Sequence, residues 1–275
     1  MPKSAPNALP PACLRRWRAL LPAVQQLPPA GARPLTVTGR VAGWIIPRAL
    51  APLHDMPGVR IEDEAAHVFA APGFSLNDTL AALALRLREA GCLRSWRDEC
   101  LDVYAEGRAL AALERGAVRP LGLLTQAVHL NAWSADGRLW VARRALSKSS
   151  DPGLWDTLVG GLVSAGETLD GALLRESHEE AGLQPAQLAG REPIRMITRM
   201  HRQLPEGYQV ENVLVSDCVL PDDARPHNLD GEVSEIRLID LDALVAMLEA
   251  GELTLEAELV ILDSLRRRAG LEPSS

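Results

Sequence analysis

Aromatic side chains are scarce in this chain: they make up 4% of 275 residues, and of the ten present six are tryptophan. The core must therefore be built mainly from Leu, Val and Ala. Cysteine is equally sparse. Cys13, Cys92, Cys100 and Cys218 form no CxxC pair, a spacing that excludes a zinc ribbon and a disulfide framework and predicts reduced, mostly buried thiols. Long apolar runs are missing too. The most apolar stretch, Thr79 to Leu87, is broken by Arg86 and followed by Arg88, far short of the about 20 residues a membrane helix needs. Lys3 leads into Ser4, Ala5, Pro6 and Asn7 rather than an apolar segment, so no secretory signal is visible, and a soluble, cytoplasmic protein without a membrane partner is expected. There is no excess of positive charge: 29 basic against 36 acidic side chains leave a net charge of −7, which argues against nucleic acid as a partner. What is present, 47% hydrophobic and 24% charged residues, is globular and excludes whole-chain disorder or a collagen-like repeat.

The pattern along the chain predicts a loose, Pro-rich tail over residues 1–12 and a helix through Leu14, Trp17, Leu20 and Leu21 that Pro22 stops. Leu35 to Ile46 reads as extended, punctuated by Gly39 and Gly43. A helix carrying Leu80, Leu83, Leu85 and Leu87 would be capped by Asn77 or Asp78 and closed by Gly91. Character changes near Gly116 to Gly122. Thr125–Trp133 and Leu139–Ala142 form a predicted hairpin across Asp136-Gly137. A second hairpin spans Ile194–Arg202 and Gln209–Leu220, and a short strand covers Val233–Ile239. Helices over Leu241–Leu248 and Leu255–Leu265 follow. The second of these ends in Arg266, Arg267 and Arg268, which complement its dipole.

One stretch concentrates the chemistry. Gly160-Gly161 precede Glu167, and Thr168 can cap a helix that Gly182 closes. At about 100° per residue, Glu176, Glu179 and Glu180 share one face with Arg175, while Leu173, Leu174 and Ala181 make the packing face. Carboxylates at i, i+3 and i+4 repel, and one arginine cannot neutralise three of them. A hard divalent cation can, and Mg²⁺ is usually held by a few carboxylates together with substrate phosphates. The residues alone thus point to a metal-dependent site for a phosphorylated ligand.

Gly161, Glu167, Arg175-Glu176 and Glu179-Glu180-Ala181-Gly182-Leu183 fill every charged and glycine position of a segment, 161–183, that resembles the Nudix box. The one departure is Ser177, in the middle of the packing face where the family usually has a bulky aliphatic residue. The resemblance implies an α/β fold: a Nudix α/β/α sandwich around a mixed sheet over residues 121–275, preceded by a smaller α+β domain over 1–120. It also implies hydrolysis of a small-molecule diphosphate. Glu176, Glu179, Glu180 and the carbonyl of Gly160 would hold Mg²⁺, with Mn²⁺ as the alternative. Arg175 would orient the carboxylates, and Gly161, Glu167 and Gly182 would support the loop–helix unit. Glu176 and Glu232 are the two candidates for the general base.

A narrower resemblance reaches beyond the box. Val128-His129-Leu130-Asn131, Leu139-Trp140-Val141-Ala142-Arg143-Arg144, Lys148 and Asp151-Pro152-Gly153-Leu154-Trp155-Asp156 are similar to the thiamine pyrophosphokinase-related Nudix subgroup. So are Trp96-Arg97-Asp98-Glu99 and Gly43-Trp44, which resemble that subgroup's N-terminal domain. This implies removal of phosphate from thiamine diphosphate or its damaged analogues. A thiazolium or pyrimidine ring is flat and partly cationic, which suits an indole face, so Trp96 and, more weakly, Trp44 are expected to meet the organic half of the substrate. A general nucleoside-diphosphate-X pyrophosphatase is the competing enzyme. A non-catalytic Nudix ligand sensor is the third alternative, disfavoured because the box carboxylates are all kept. Three roles stay open to residues 1–120: covering the substrate, mediating a homodimer, or stabilising the Nudix domain.

Overall fold

The computed structural model describes residues 9–148 and 150–271. The expected loose tail therefore lies outside the described residues up to position 8, and from Pro11 the chain is already helical in α1 (Pro11–Ala23). Pro11 suits a first turn because its φ is fixed and its missing N–H is not needed there. Pro22 does not stop this helix as expected; it sits in the last turn, and the helix ends one residue later.

The next elements are β1 (Arg33–Val37) and β2 (Arg40–Ile45), a hairpin about Thr38-Gly39 where the sequence read as one extended segment. Then come the short helix α2 (Pro47–Leu50), β3 (Val59–Ile61) and β4 (Ala66–Val68). These strands form a sheet in the order β2-β1-β4-β3. In α3 (Leu76–Glu89) the cap is Ser75, not Asn77 or Asp78. The Ser75 hydroxyl accepts from the Asp78 N–H, and the Asp78 carboxylate accepts from the Ser75 N–H, so Asp78 is the third residue of a capping box. A two-stranded ribbon, β5 (Cys100–Ala105) and β6 (Arg108–Glu114), and α4 (Arg115–Leu121) complete the first unit. Its core is aliphatic, with Leu35, Ile45, Leu80, Leu83, Leu87, Leu113 and Leu121 fully buried.

The larger sheet follows: β7 (Leu124–Trp133), β8 (Leu139–Arg144), β9 (Trp155–Thr157) and β10 (Val159–Leu162), then helix α5 (Leu169–Ala181). After it come β11 (Arg195–Leu204), β12 (Gly207–Val219), β13 (Val233–Ile239), α6 (Leu241–Ala250) and α7 (Leu255–Arg268). The strand order is β11-β12-β7-β8-β13, with β10 also on β7 and β9 on β8. The sheet is mixed, because β7 and β12 are parallel and the other pairs antiparallel. Strand alternation sends Val128, Leu130 and Ala132 to the α5 side, with Leu173 and Ala181. Trp133, Val213 and Val215 go to the opposite side, with residues of α1, α6 and α7. This is the expected α/β/α sandwich. In one respect the 1–120 division is corrected: α1 buries Cys13, Trp17 and Leu20 in the core of the second unit, and Arg266 lies over the Trp17 ring.

All four thiols are free; Cys100 is exposed and the other three are buried. Among the described residues no helix is long and apolar enough to cross a membrane.

Candidate active site

Thr168 caps α5 by accepting from the Gly171 N–H at 3.1 Å, and Gly182 ends the helix in the left-handed conformation. The strand β10 brings Gly160 and Gly161 against this helix. A Cβ on Gly161 would overlap the Glu176 carboxyl group, so glycine is required for that carboxylate to lie on the backbone. The Gly160 N–H donates to Glu180 at 2.9 Å.

Arg175 organises the rest of the box. Its Nε and Nη2 donate to the two oxygens of Glu167, both at 2.9 Å, a two-point fork. Its Nη1 donates to Glu176 at 2.8 Å and to Glu179 at 3.1 Å, and Nη2 also reaches the Leu162 carbonyl at 3.2 Å. The fork holds the Glu167 carboxyl below the usual carboxylate range. Burial pushes Glu176 up, against the pull of Arg175.

Glu180 stands apart from this network. It is 5% exposed, and burial pushes its carboxyl up to about 8. Its neighbours are Lys148, at 3.7 Å, and two carboxylates from the loop before β13. Oxygens of Glu180, Asp230 and Glu232 lie within 4.8 Å of one another, a spacing that suits one metal ion. Lys148 is also ion-paired with Glu232, and burial pushes its ammonium down. The expected triad is thus divided: Glu176 and Glu179 sit on Arg175, while Glu180 gathers with Asp230 and Glu232.

The loop is delivered by the helix itself. His227 and Leu229 donate their N–H groups to the Ala181 and Glu179 carbonyls, each at 3.0 Å. Asn228 Oδ1 accepts from Gly231 N–H at 2.7 Å, and Asp230 Oδ1 from Glu232 N–H at 2.8 Å. Sequence reasoning found Glu232 but assigned no role to Asp230 or Lys148. The signal for Asp230 was its place two residues before Glu232, across a glycine that adopts positive φ. Ser177 is fully buried, and its hydroxyl has no hydrogen-bond partner in the packing face.

A cavity of about 390 Å³ opens beside the box. Gly160, Gly161, Lys148 and Glu232 line one end, and Gln209, Glu211 and Glu256 also line it. The first unit contributes Arg94, Arg97, Arg115 and Arg119 to its wall. Arg119 pairs with Glu206 at 2.5 Å and Arg115 with Glu99 at 2.7 Å. His129, on β7 opposite Gly160, also lines the cavity. Burial pushes its imidazole down. The Thr157 hydroxyl donates to the Val159 carbonyl at 2.8 Å, so it accepts from His129 Nδ1 at 3.3 Å; that leaves Nε2 as an acceptor without a partner. Neither tryptophan expected at the substrate lines this cavity. Trp96 packs on the first core beneath Arg88, 4.6 Å from its ring, and donates to Asp98 at 2.6 Å. Trp44 lies on β2 opposite Pro34.

The NUDIX domain model matches residues 124–259. This chain carries a Nudix domain. It is 34% identical over 196 residues to Nudix hydrolase 20, chloroplastic, of Arabidopsis thaliana, covering 69% of this chain and 52% of that protein. To Nudix hydrolase 24, chloroplastic, of the same plant it is 32% identical over 196 residues, covering 69% and 53%. A solved structure from Deinococcus radiodurans aligns with 62% of this chain and 98% of its own, at 24% identity and a TM-score of 0.43. The chain spans about half the length of the curated relatives it matches. The box carboxylates, Lys148, Asp230 and Glu232 all fall within the matched Nudix domain, as do the lining residues Arg144 and Arg202, whereas the four arginines of the first unit precede it.

Proposed function

We propose that the protein is a divalent-metal-dependent diphosphate hydrolase that cleaves thiamine diphosphate or a damaged analogue to the monophosphate and phosphate. The observation that carries this reading is the carboxylate group Glu180, Asp230 and Glu232, of which Glu232 also lines the arginine-walled cavity beside the box. The donor set fits a hard cation: all its ligands are carboxylate oxygens. A positive charge, the Lys148 ammonium, already rests among them. Glu180, Asp230 and Glu232 would hold Mg²⁺ or Mn²⁺, with Glu176, Glu179 and the Gly160 carbonyl as the further ligands that the box supplies. Such an ion, when bound, lowers the pKa of a water and neutralises charge on the phosphate oxygens.

The chain's own residues do the rest. Arg175 fixes Glu167, Glu176 and Glu179 in one geometry, so the carboxylates need no reorganisation when charge arrives. Glu176 and Glu232 remain the two candidates to take the proton of the attacking water. Arg97, Arg115 and Arg119 present cations to the substrate's phosphates from the first unit, which favours covering the substrate over the other roles open to residues 1–120. The thiamine preference rests on the subgroup motifs, Lys148 and Asp156 among them, which line the cavity. A cytoplasmic location rests on the sequence alone.

The second reading is a pyrophosphatase of nucleoside-diphosphate derivatives, favoured by the size of the cavity, about 390 Å³. Phosphate release with Mg²⁺ from thiamine diphosphate, oxythiamine diphosphate, ADP-ribose and a nucleotide sugar decides between them. Turnover of the thiamine compounds at the highest kcat/KM supports the first reading. Cleavage confined to the nucleotide compounds replaces it with the second.

A further inference from the structure

The cavity continues from the box along β7 and β12 to Gln209 and Glu211. Gln209 is 4% exposed and Glu211 5%. The Gln209 amide donates through Nε2 to Glu211 at 3.0 Å and to Glu256 at 3.4 Å. Both of its hydrogens are used, and turning the amide over would set its oxygen against two carboxylates, so the orientation is fixed. The Gln209 Oε1 is left buried, beside the cavity and without a partner. An acceptor in that state destabilises the free protein and is satisfied by a bound donor. Glu211 adds further acceptor oxygens; Oε2 already accepts from the Thr125 hydroxyl at 2.8 Å.

The register gives the span. Gly160 lies opposite His129, and Glu211 lies opposite Thr125 on the same strand. Four residues of strand separate the two levels, about 13 Å at roughly 3.3 Å per residue. That length suits a diphosphate and a short linker with its phosphates at the box and a ring at the far end.

We propose that Gln209, seconded by Glu211, is the subsite for the organic half of the substrate and selects a ring that presents N–H donors. The assignment rests on the diphosphatase reading for which end of the ligand faces the box. It holds whether the ring is an aminopyrimidine or a nucleobase, and it excludes diphosphates of plain hydrocarbons.

The test is calorimetric binding to the full chain in EDTA, which withholds the metal that turnover requires on the hydrolase reading, with thiamine diphosphate, uridine diphosphate and isopentenyl diphosphate as probes. The last carries the same head group and no N–H donor. The tighter of the two N–H-bearing probes should bind at least about tenfold more tightly than isopentenyl diphosphate, because a site that leaves buried acceptors unpaired rejects the analogue. Gln209→Leu should weaken that probe about 3- to 10-fold, the value of one net hydrogen bond, and leave isopentenyl diphosphate unchanged. Gln209→Met serves as a second variant, and thermal unfolding shows which of the two is folded. Equal affinity of the wild-type protein for all three probes, no binding of either N–H-bearing probe, or an unchanged ratio in both folded variants overturns the subsite. Separate phosphate-release assays keep the two ideas apart: silence there with the preference intact removes the hydrolase reading and not the subsite.

Discussion

Replacing Glu180 by glutamine should stabilise the metal-free protein, and more so as the solution becomes alkaline. Glu180 is buried, and its carboxyl titrates at about 8 in the fold against 4.5 for the ordinary group. Between those two pH values the folded chain keeps a proton that the unfolded chain has released. Stability from this group is therefore fully present below pH 4.5 and is lost as pH rises through 8. At about 1.4 kcal/mol per pH unit the loss is capped near ~5 kcal/mol. That figure already includes the opposing pull of the Lys148 ammonium at 3.7 Å and the Gly160 N–H at 2.9 Å. For a chain of this size each kcal/mol moves Tm by roughly 2–4 °C. Differential scanning calorimetry in EDTA at pH 5 and at pH 8.5 measures the effect. Wild-type Tm should fall by several degrees more than that of Glu180→Gln across this interval, and Mg²⁺ should restore the wild type at pH 8.5 while leaving the variant unmoved. A Glu180→Gln protein less stable than wild type at pH 8.5, with an unchanged response to Mg²⁺, would refute both the burial argument and the metal assignment.

Arg175→Lys keeps the charge but loses the fork on Glu167 and the bonds to Glu176 and Glu179; turnover should drop at least about tenfold with KM little changed, and full activity would reduce Arg175 to a counter-charge. Gly161→Ala should fold and yet lose most activity, since its Cβ displaces the Glu176 carboxyl group; wild-type kcat would show that this placement is dispensable. Trp96→Leu should lower Tm by a few degrees, through the lost Arg88 stacking and Asp98 bond, at about 0.5–1 kcal/mol for an exposed cation–π contact, with KM unchanged. A raised KM at constant Tm would return Trp96 to the substrate.

The second unit was legible from the sequence because its signals are local. The hairpin across Asp136-Gly137, the Val233–Ile239 strand and the Thr168 to Gly182 boundaries of α5 depend on turn residues, alternation and caps, and the structure has them where expected. What was missed depends on contacts between distant residues. The hydrophobic face of α1 does not say which of two cores it enters, and α1 packs on α6 and α7 rather than on its sequence neighbours. The helical wheel put Glu176, Glu179 and Glu180 on one face, but it cannot show that Arg175 takes the first two. Nor can it show that a loop some fifty residues on brings Asp230 and Glu232 to Glu180. The arginine wall was invisible for the same reason: Arg97, Arg115 and Arg119 become neighbours of Gly160 and Gly161 only once the first unit is docked on the second. Tryptophan was chosen for the substrate on ring chemistry alone, and the fold uses Trp96 in packing instead.

The proposed function requires that Glu180, Asp230 and Glu232, the last of them lining the cavity, hold a divalent cation for cleavage of a diphosphate. Steady-state phosphate release from thiamine diphosphate, by the wild-type protein and by Glu180→Gln, each titrated from EDTA to saturating Mg²⁺, tests it most directly. Wild-type turnover should depend wholly on Mg²⁺, and the variant should be slower by orders of magnitude at every Mg²⁺ concentration. Equal rates for the two proteins, or wild-type turnover undiminished in EDTA, would contradict it.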